Sequence, residues 1–216
     1  MVNVVYDLKT AFWASSLFWY NSLMKPINTF LTMLSISLLS PASWSETMDD
    51  LVERGGFYYQ KFTDFPFTGK VTGNQQGSIK NGQREGAWVG YHDSGTLKRK
   101  GNYKNGYQEG VWVHYYENTQ LEYKGNYKDG YQEGAWISYY KSGQLYYKGN
   151  LKNGWLEGAW VWYYDNGQVN NKGNYKKGKR DGAWVYYRED GTVSKPMTGT
   201  FKDGDKISDW VSRDSL

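Results

Sequence analysis

Between Gly77 and Gly191, apolar and polar positions alternate in steps of two, and the whole pattern returns every 24 residues. Trp88, Trp112, Trp136, Trp160 and Trp184 mark the period. Each is preceded by a glycine two positions earlier (Gly86, Gly110, Gly134, Gly158, Gly182), and each of those glycines follows an acidic residue. The same period carries Gly82, Gly106, Gly130, Gly154 and Gly178, and also Gly77, Gly101, Gly125, Gly149 and Gly173, so five units are plain. A step of two predicts strands, because successive side chains then point to opposite faces. Each unit has two turn signals, Asn81-Gly82 and Ser94-Gly95 in the first, which suit two-residue hairpin turns. They fall alternately 13 and 11 residues apart, which leaves room for strands of about eight to ten residues and none for a stable helix. Asn118-Thr119 breaks the glycine pattern and predicts a strained turn or one of another type.

A two-residue turn at Ser94-Gly95 sets Trp88 opposite Gly101, Gly86 opposite Tyr103 and Glu85 opposite Lys104. The same rule at Asn105-Gly106 sets Gly101 against Gly110, Arg99 against Trp112 and Asn102 against Glu109. One face then carries Gly86, Trp88, Leu97, Gly101 and Tyr103, with rings lying over glycines twice per hairpin. The other carries Glu85, Val89, Tyr91, Lys98, Lys100 and Asn102. The predicted fold is all-β, an elongated single-layer antiparallel meander of 24-residue β-hairpin repeats preceded by a signal peptide. Its repeat core is Gly86, Trp88, Gly101, Tyr103, Gly110, Trp112, Gly125, Trp136, Gly149, Trp160, Gly173 and Trp184. About eleven or twelve strands at roughly 4.8 Å make a ribbon on the order of 50 Å long.

The flanks divide the chain. Residues 1–45 read as an upstream segment and signal peptide: Met24 and Lys25 precede an apolar run, Phe30 to Leu39, and Ser43 and Ser45 suit a cleavage site before Glu46. Translation is then expected to begin at Met24, and the protein to be periplasmic or secreted, with no transmembrane helix once mature. Residues 46–76 form an N-terminal cap, 77–191 the five repeats, and 192–216 a degenerate last repeat and cap. In that last part Gly191 and Gly199 are eight apart with Pro196 between them, which suits a bulge and a protected edge. Trp210 stands six residues after Gly204, as in the other units, but Ser208 replaces the glycine.

Composition narrows the chemistry. The chain has 216 residues with 26 Gly, 11 Trp, 21 Tyr and 4 Pro. Lys plus Arg number 26 against 22 Asp plus Glu, a formal +4 that makes no case for a nucleic-acid partner. Without residues 1–45 the balance is 24 against 21. No cysteine excludes disulfides and thiolate sites, and His92 and His114 are the only histidines, with no recurrent triad partner. The reading is a non-enzymatic chain with no cofactor and no metal site.

The unit from Glu157 to Gly178, EGAWVWYYDNGQVNNKGNYKKG, resembles the MORN-repeat variant of bacterial proteins, including those described as YwqK-like antitoxins. PFTGKV, from Pro66, and GSIKNGQREGAW, from Gly77, are similar to the opening of such proteins. The resemblance implies a hairpin-repeat sheet used as an interaction scaffold, in some members one that neutralises a toxin, and it supplies no catalytic residue. A secretion signal departs from what a cytoplasmic antitoxin needs.

The expected function is a non-catalytic cell-envelope scaffold for protein–protein interaction with an unidentified protein partner; the alternatives are a glycan- or cell-wall-binding module using an aromatic ladder, or, as the resemblance implies, an antitoxin-like neutraliser of a toxin partner. The strict recurrence of the tryptophans favours a core over a binding surface. Positions that vary between otherwise identical units are the better binding candidates: Gly90, His114, Ser138, Trp162 and Tyr186, and Arg99, Tyr123, Tyr147 and Asn171. Lys100, Lys124, Lys148 and Lys172 form a basic row, expected to pair with Glu85, Glu109, Glu133, Glu157 and Asp181 as a ladder of surface charges.

Overall fold

A computed structural model describes residues 45–209. Apart from one 3-10 turn, Met48–Asp50, its regular elements are strands. They are β1 (Ser45–Thr47), β2 (Leu51–Arg54), β3 (Phe57–Gln60), β4 (Gly69–Thr72), β5 (Gln75–Lys80), β6 (Gln83–Tyr91), β7 (Leu97–Lys104) and β8 (Tyr107–Tyr115). There follow β9 (Leu121–Lys128), β10 (Tyr131–Tyr139), β11 (Leu145–Lys152), β12 (Trp155–Tyr163), β13 (Val169–Lys176), β14 (Lys179–Tyr186), β15 (Gly199–Lys202) and β16 (Asp205–Asp209). Fourteen strands form one sheet in the order β1-β4-β5 and on in sequence to β16, and β2 and β3 form a separate hairpin. Every pairing is antiparallel except β1 with β4. The expected all-β meander of hairpins is the observed architecture. The signal peptide and Trp210 lie outside the described residues.

The two turns of each unit differ, because the side chains available permit different backbone angles. Asn81-Gly82, Asn105-Gly106, Asp129-Gly130 and Asn153-Gly154 have positive φ at both residues, as a two-residue type I′ turn requires, and Lys177-Gly178 does the same. Ser94-Gly95 is different: only Gly95 has positive φ, its N–H donates to the His92 carbonyl, and the His92 N–H donates to Thr96 O. This is a three-residue loop with a bulge glycine, not the expected two-residue turn. The bulge moves Leu97 opposite Tyr91 and away from the tryptophan face. Thr119 repeats Gly95's geometry at φ 67°, so this turn is strained without changing type.

The register across the type I′ turns also corrects the expectation. Asn102 does pair with Glu109, but Lys100 pairs with Val113 and Arg99 with His114, so Gly110 to Trp112 bulge opposite Gly101. The recurring glycines Gly86, Gly110, Gly134, Gly158 and Gly182 provide this bulge at φ 67–78°. No ring covers them: a Cβ at Gly86 or Gly110 would meet nothing within 4 Å. Rings cover only the other set. Trp112 lies on Gly101, where a Cβ would come within 2.2 Å of the indole, and Trp88 lies on Gly77 in the same way. Each tryptophan therefore reaches back across the bulge to the preceding unit, not to its register partner across the loop. That contact ties one hairpin to the next.

The sheet ends are closed differently. At the first end the β2–β3 hairpin and the segment to Phe67 pack Leu51 and Phe67 against Val71, Ile79, Trp88 and Trp112, and the Arg84 guanidinium sits 4.7 Å over the Trp88 ring. At the other, the long connection after Gly191 buries Thr198 completely, and its hydroxyl accepts the Tyr186 N–H at 3.0 Å.

Candidate functional site

The tryptophan face is a finished core. Trp88, Trp112, Trp136, Trp160 and Trp184 are 1–3% exposed. Tyrosines stand between them edge-on: Tyr103 lies 5.8 Å from Trp88 and 5.0 Å from Trp112, Tyr127 5.3 Å from Trp136, and Tyr175 4.9 Å from Trp184. Leu151 takes the equivalent place between Trp136 and Trp160. Four of the indoles donate Nε1–H to a backbone carbonyl ten residues earlier, Trp112 to Asn102 O at 3.1 Å for example. With all five indoles buried and four of their N–H groups bonded, the ladder has no flat surface left for a sugar to stack on.

The variable positions form a second row on the same face, joined through successive pairings: Gly90 with Arg99, Arg99 with His114, His114 with Tyr123, Tyr123 with Ser138, Ser138 with Tyr147, Tyr147 with Trp162, Trp162 with Asn171, and Asn171 with Tyr186. They lean on the tryptophan row. His114 stacks on Tyr123 at 4.1 Å, Tyr123 on Trp136 at 5.8 Å, and Trp162 on Trp160 at 5.2 Å, while Tyr147 lies 5.6 Å from Trp160. Tyr186 accepts a hydrogen bond from Arg180 at 2.8 Å, Arg99 donates to Gln75 at 3.1 Å, and the Ser138 hydroxyl donates to Glu122 O at 2.9 Å. Burial, with Arg99 and Lys98 nearby, lowers His114 to about 4 from an ordinary 6.5. Burial likewise raises Tyr123, Tyr127, Tyr147 and Tyr175.

His92 lies apart from His114, in a loop, and its Nε2 meets Tyr115 O at 3.0 Å. Tyr116, Tyr140 and Tyr164 stand at the equivalent place and donate to the carbonyls of Tyr139, Tyr163 and Tyr187. His92 therefore takes a tyrosine's place in a loop-to-loop contact. Among the described residues no group of three or more His, Asp or Glu side chains is arranged to hold a metal ion, and no helix is long and apolar enough to cross a membrane.

The opposite face is organised by three rows. Ala87, Val111, Ala135 and Ala159 are exposed and face Asn102, Asn126, Asn150 and Asn174, and the exposed Ala183 faces Thr200. Next to them runs a row in which apolar and cationic residues alternate strand by strand: Val89, Lys100, Val113, Lys124, Ile137, Lys148, Val161, Lys172, Val185. Tyr91, Tyr115, Tyr139, Tyr163 and Tyr187 form the third, and the ammonium groups of Lys100, Lys148 and Lys172 lie 5.7–6.0 Å from Tyr115, Tyr163 and Tyr187.

The expected ladder of paired charges is not what forms. Glu85, Glu109, Glu133 and Glu157 each turn to the next type I′ turn and accept its first N–H, from Asn105, Asp129, Asn153 and Lys177, at 2.9 Å. The ion pairs among the described residues are Arg54–Asp64 and Lys206–Asp209, both outside the repeats. Among the described residues, the lysine row has no carboxylate within ion-pair distance. Between Lys124 and Lys148 this face opens into a groove of about 600 Å³, lined chiefly by Val111, Ala135, Ile137, Ala159 and Val161 with the two lysines. The Gly-after-acid pattern was the signal for both missed features, since a glycine inside a strand marks a bulge that frees the preceding carboxylate to turn.

Residues 84–105, 108–129, 132–153 and 156–177 each match one family model. These units are similar to the MORN repeat variant. Each matched unit is one three-residue-loop hairpin, β6–β7 being the first, and its tryptophan reaches outside the unit to the hairpin before it. The unit of Trp184 lies beyond the matched residues. No curated protein matches the chain. Among solved structures, that of the "GtfA/B complex bound to UDP and GlcNAc" aligns at 12% identity and a TM-score of 0.18, covering 76% of this chain and 28% of that one.

Proposed function

We propose that the chain is a non-catalytic repeat scaffold of the cell envelope that holds a protein partner on its lysine face. The observation that carries this reading is the contrast between the faces. One spends its indoles and much of its tyrosine row on the fold, while the other keeps an apolar groove and four lysines without ionic partners among the described residues. MORN units as a class serve as non-catalytic interaction modules, which supports the same reading. The segment from Met24 to Glu46, read as a secretion signal, supports placement in the envelope.

The test is site-specific photo-crosslinking in cells, with the crosslinking amino acid at Ala135 on the lysine face or at Tyr147 on the tryptophan face, combined with fractionation and mass spectrometry of the N-terminus. A discrete protein adduct from position 135, on a chain beginning near Glu46 in the envelope fraction, is the expected outcome. No adduct from position 135, or an intact N-terminus in cytosol, overturns the interaction or the location respectively.

A further inference from the structure

We infer that the lysine face receives an amphipathic α-helix of a partner protein in which acidic and apolar residues alternate along a single stripe every three to four residues. The inference rests on the scaffold reading above and names the partner's chemistry. It comes from the spacing of the central row. Neighbouring strands lie about 4.8 Å apart, so apolar and cationic positions alternate every ~4.8 Å and like positions recur every ~9.6 Å. A helix rises about 1.5 Å per residue, so positions i, i+3, i+7 and i+10 follow one another on one side at about 5 Å and like positions recur at about 10.5 Å. The two periods agree to within about 1 Å per repeat, a mismatch that lysine side chains can absorb.

Other partner backbones fit less well. An extended strand presents same-side residues every ~6.7 Å, and a polyproline helix presents one per turn every ~9.3 Å, so neither supplies a residue for both the apolar and the cationic positions. Charge complementarity decides the sign. Lys100, Lys124, Lys148 and Lys172 are exposed and have no ion-pair partner among the described residues, because the repeat's own glutamates are committed to turn N–H groups. Carboxylates on the helix would meet them, and apolar residues between would enter the groove over Ala135 and Ile137. From Lys100 to Lys172 the row spans six strand intervals, about 29 Å, or about 19 helical residues. An anionic bilayer shares the charge but not the shape. Interfacial binding relies on protruding Trp, Phe or Leu at the centre of the contact, whereas the groove between the lysines is lined by short aliphatic side chains, and the exposed Tyr107, Tyr131 and Trp155 stand apart from it beside the type I′ turns.

The experiment uses the full chain and a fluorescein-labelled 28-residue synthetic helix carrying Glu and Leu alternately at i, i+3, i+7 and i+10 (about four heptads), read by fluorescence anisotropy at low and high salt. A peptide of the same composition with Glu and Leu scrambled is the control. Expected are saturable binding of the patterned peptide, about tenfold weaker binding to Lys124→Gln/Lys148→Gln with near-normal binding to Lys124→Arg/Lys148→Arg, and weakening by salt. Circular dichroism of each variant confirms that these exposed substitutions leave the sheet intact. Equal binding of patterned and scrambled peptides, or no loss in the Gln variant, overturns the inference. So does displacement of the patterned peptide by phosphatidylglycerol vesicles that bind the chain through the same lysines, which would assign the face to a membrane. A protein adduct at position 135 with no binding of the patterned helix sinks the helix alone, whereas absence of both sinks the scaffold reading as well.

Discussion

Replacing Gly125 with alanine tests how the hairpins are held together. A Cβ there would lie 2.2 Å from Cδ2 and Cε2 of Trp136 and 2.6 Å from Cζ2, where ordinary contact is 3.4–4 Å, so the indole must shift by more than 1 Å. Trp136 is 3% exposed and cannot move outward without loosening its contacts with Tyr123 at 5.8 Å and Tyr127 at 5.3 Å. Overpacking costs about 1–3 kcal/mol and each aromatic pair contributes about 0.5–1.5 kcal/mol, so the expected loss is about 3 kcal/mol. Gly134→Ala is the control, because nothing lies within 4 Å of its Cβ and only its φ of 72° is penalised, at about 1 kcal/mol. Urea unfolding followed by circular dichroism gives the two losses, and native-state hydrogen exchange locates the first at β9 and β10. Repeating Gly125→Ala in a Trp136→Leu background completes a double-mutant cycle, in which most of the excess cost should vanish. The reasoning is refuted if Gly125→Ala costs no more than Gly134→Ala, or if its cost is unchanged without the indole.

Three further outcomes are expected. Thr119→Gly should raise stability by up to about 1 kcal/mol in urea unfolding, since a β-branched residue at φ 67° is replaced by the residue the other units use there. Glu133→Ala should lower it by about 1 kcal/mol and speed exchange of the Asn153 amide, whose N–H would lose its 2.9 Å carboxylate acceptor. His114 should titrate near 4 by NMR; because its folded pKa lies below the ordinary 6.5, the unfolded chain binds the extra proton first, and stability should fall as pH drops from about 6.5 toward 4, with His114→Gln flattening that slope.

Much of the fold was legible because a two-residue alternation and paired turn residues leave few alternatives to a hairpin meander, and because a 24-residue period repeats the message. The burial of the tryptophan row followed from its strict recurrence. What the sequence concealed was local. A Ser-Gly pair fits both a two-residue turn and a three-residue loop, and the choice shifts Leu97 to the other face. The bulge at Gly110 likewise passes unseen in a simple count, yet it moves Arg99 from Trp112 to His114 and sends Trp112 over Gly101. The variable row was found from its differences between units, but its partial packing against the indoles was not, since alternation assigns a face and not a tilt.

The bulge also explains why the two faces come to differ. By letting each indole lie back across a glycine, it fills the tryptophan face from within the chain and draws the preceding glutamate toward the next turn. The same displacement leaves the lysines opposite Val113, Ile137, Val161 and Val185, apolar residues that offer them no charge. A single local irregularity, repeated every 24 residues, thus completes one surface and leaves the other open, so the cohesion of the array and the surface proposed to bind a partner fall on opposite sides of one sheet. Substitutions along the lysine row should therefore change recognition at little cost in stability, whereas changes to the tryptophan or glycine rows should lose both together.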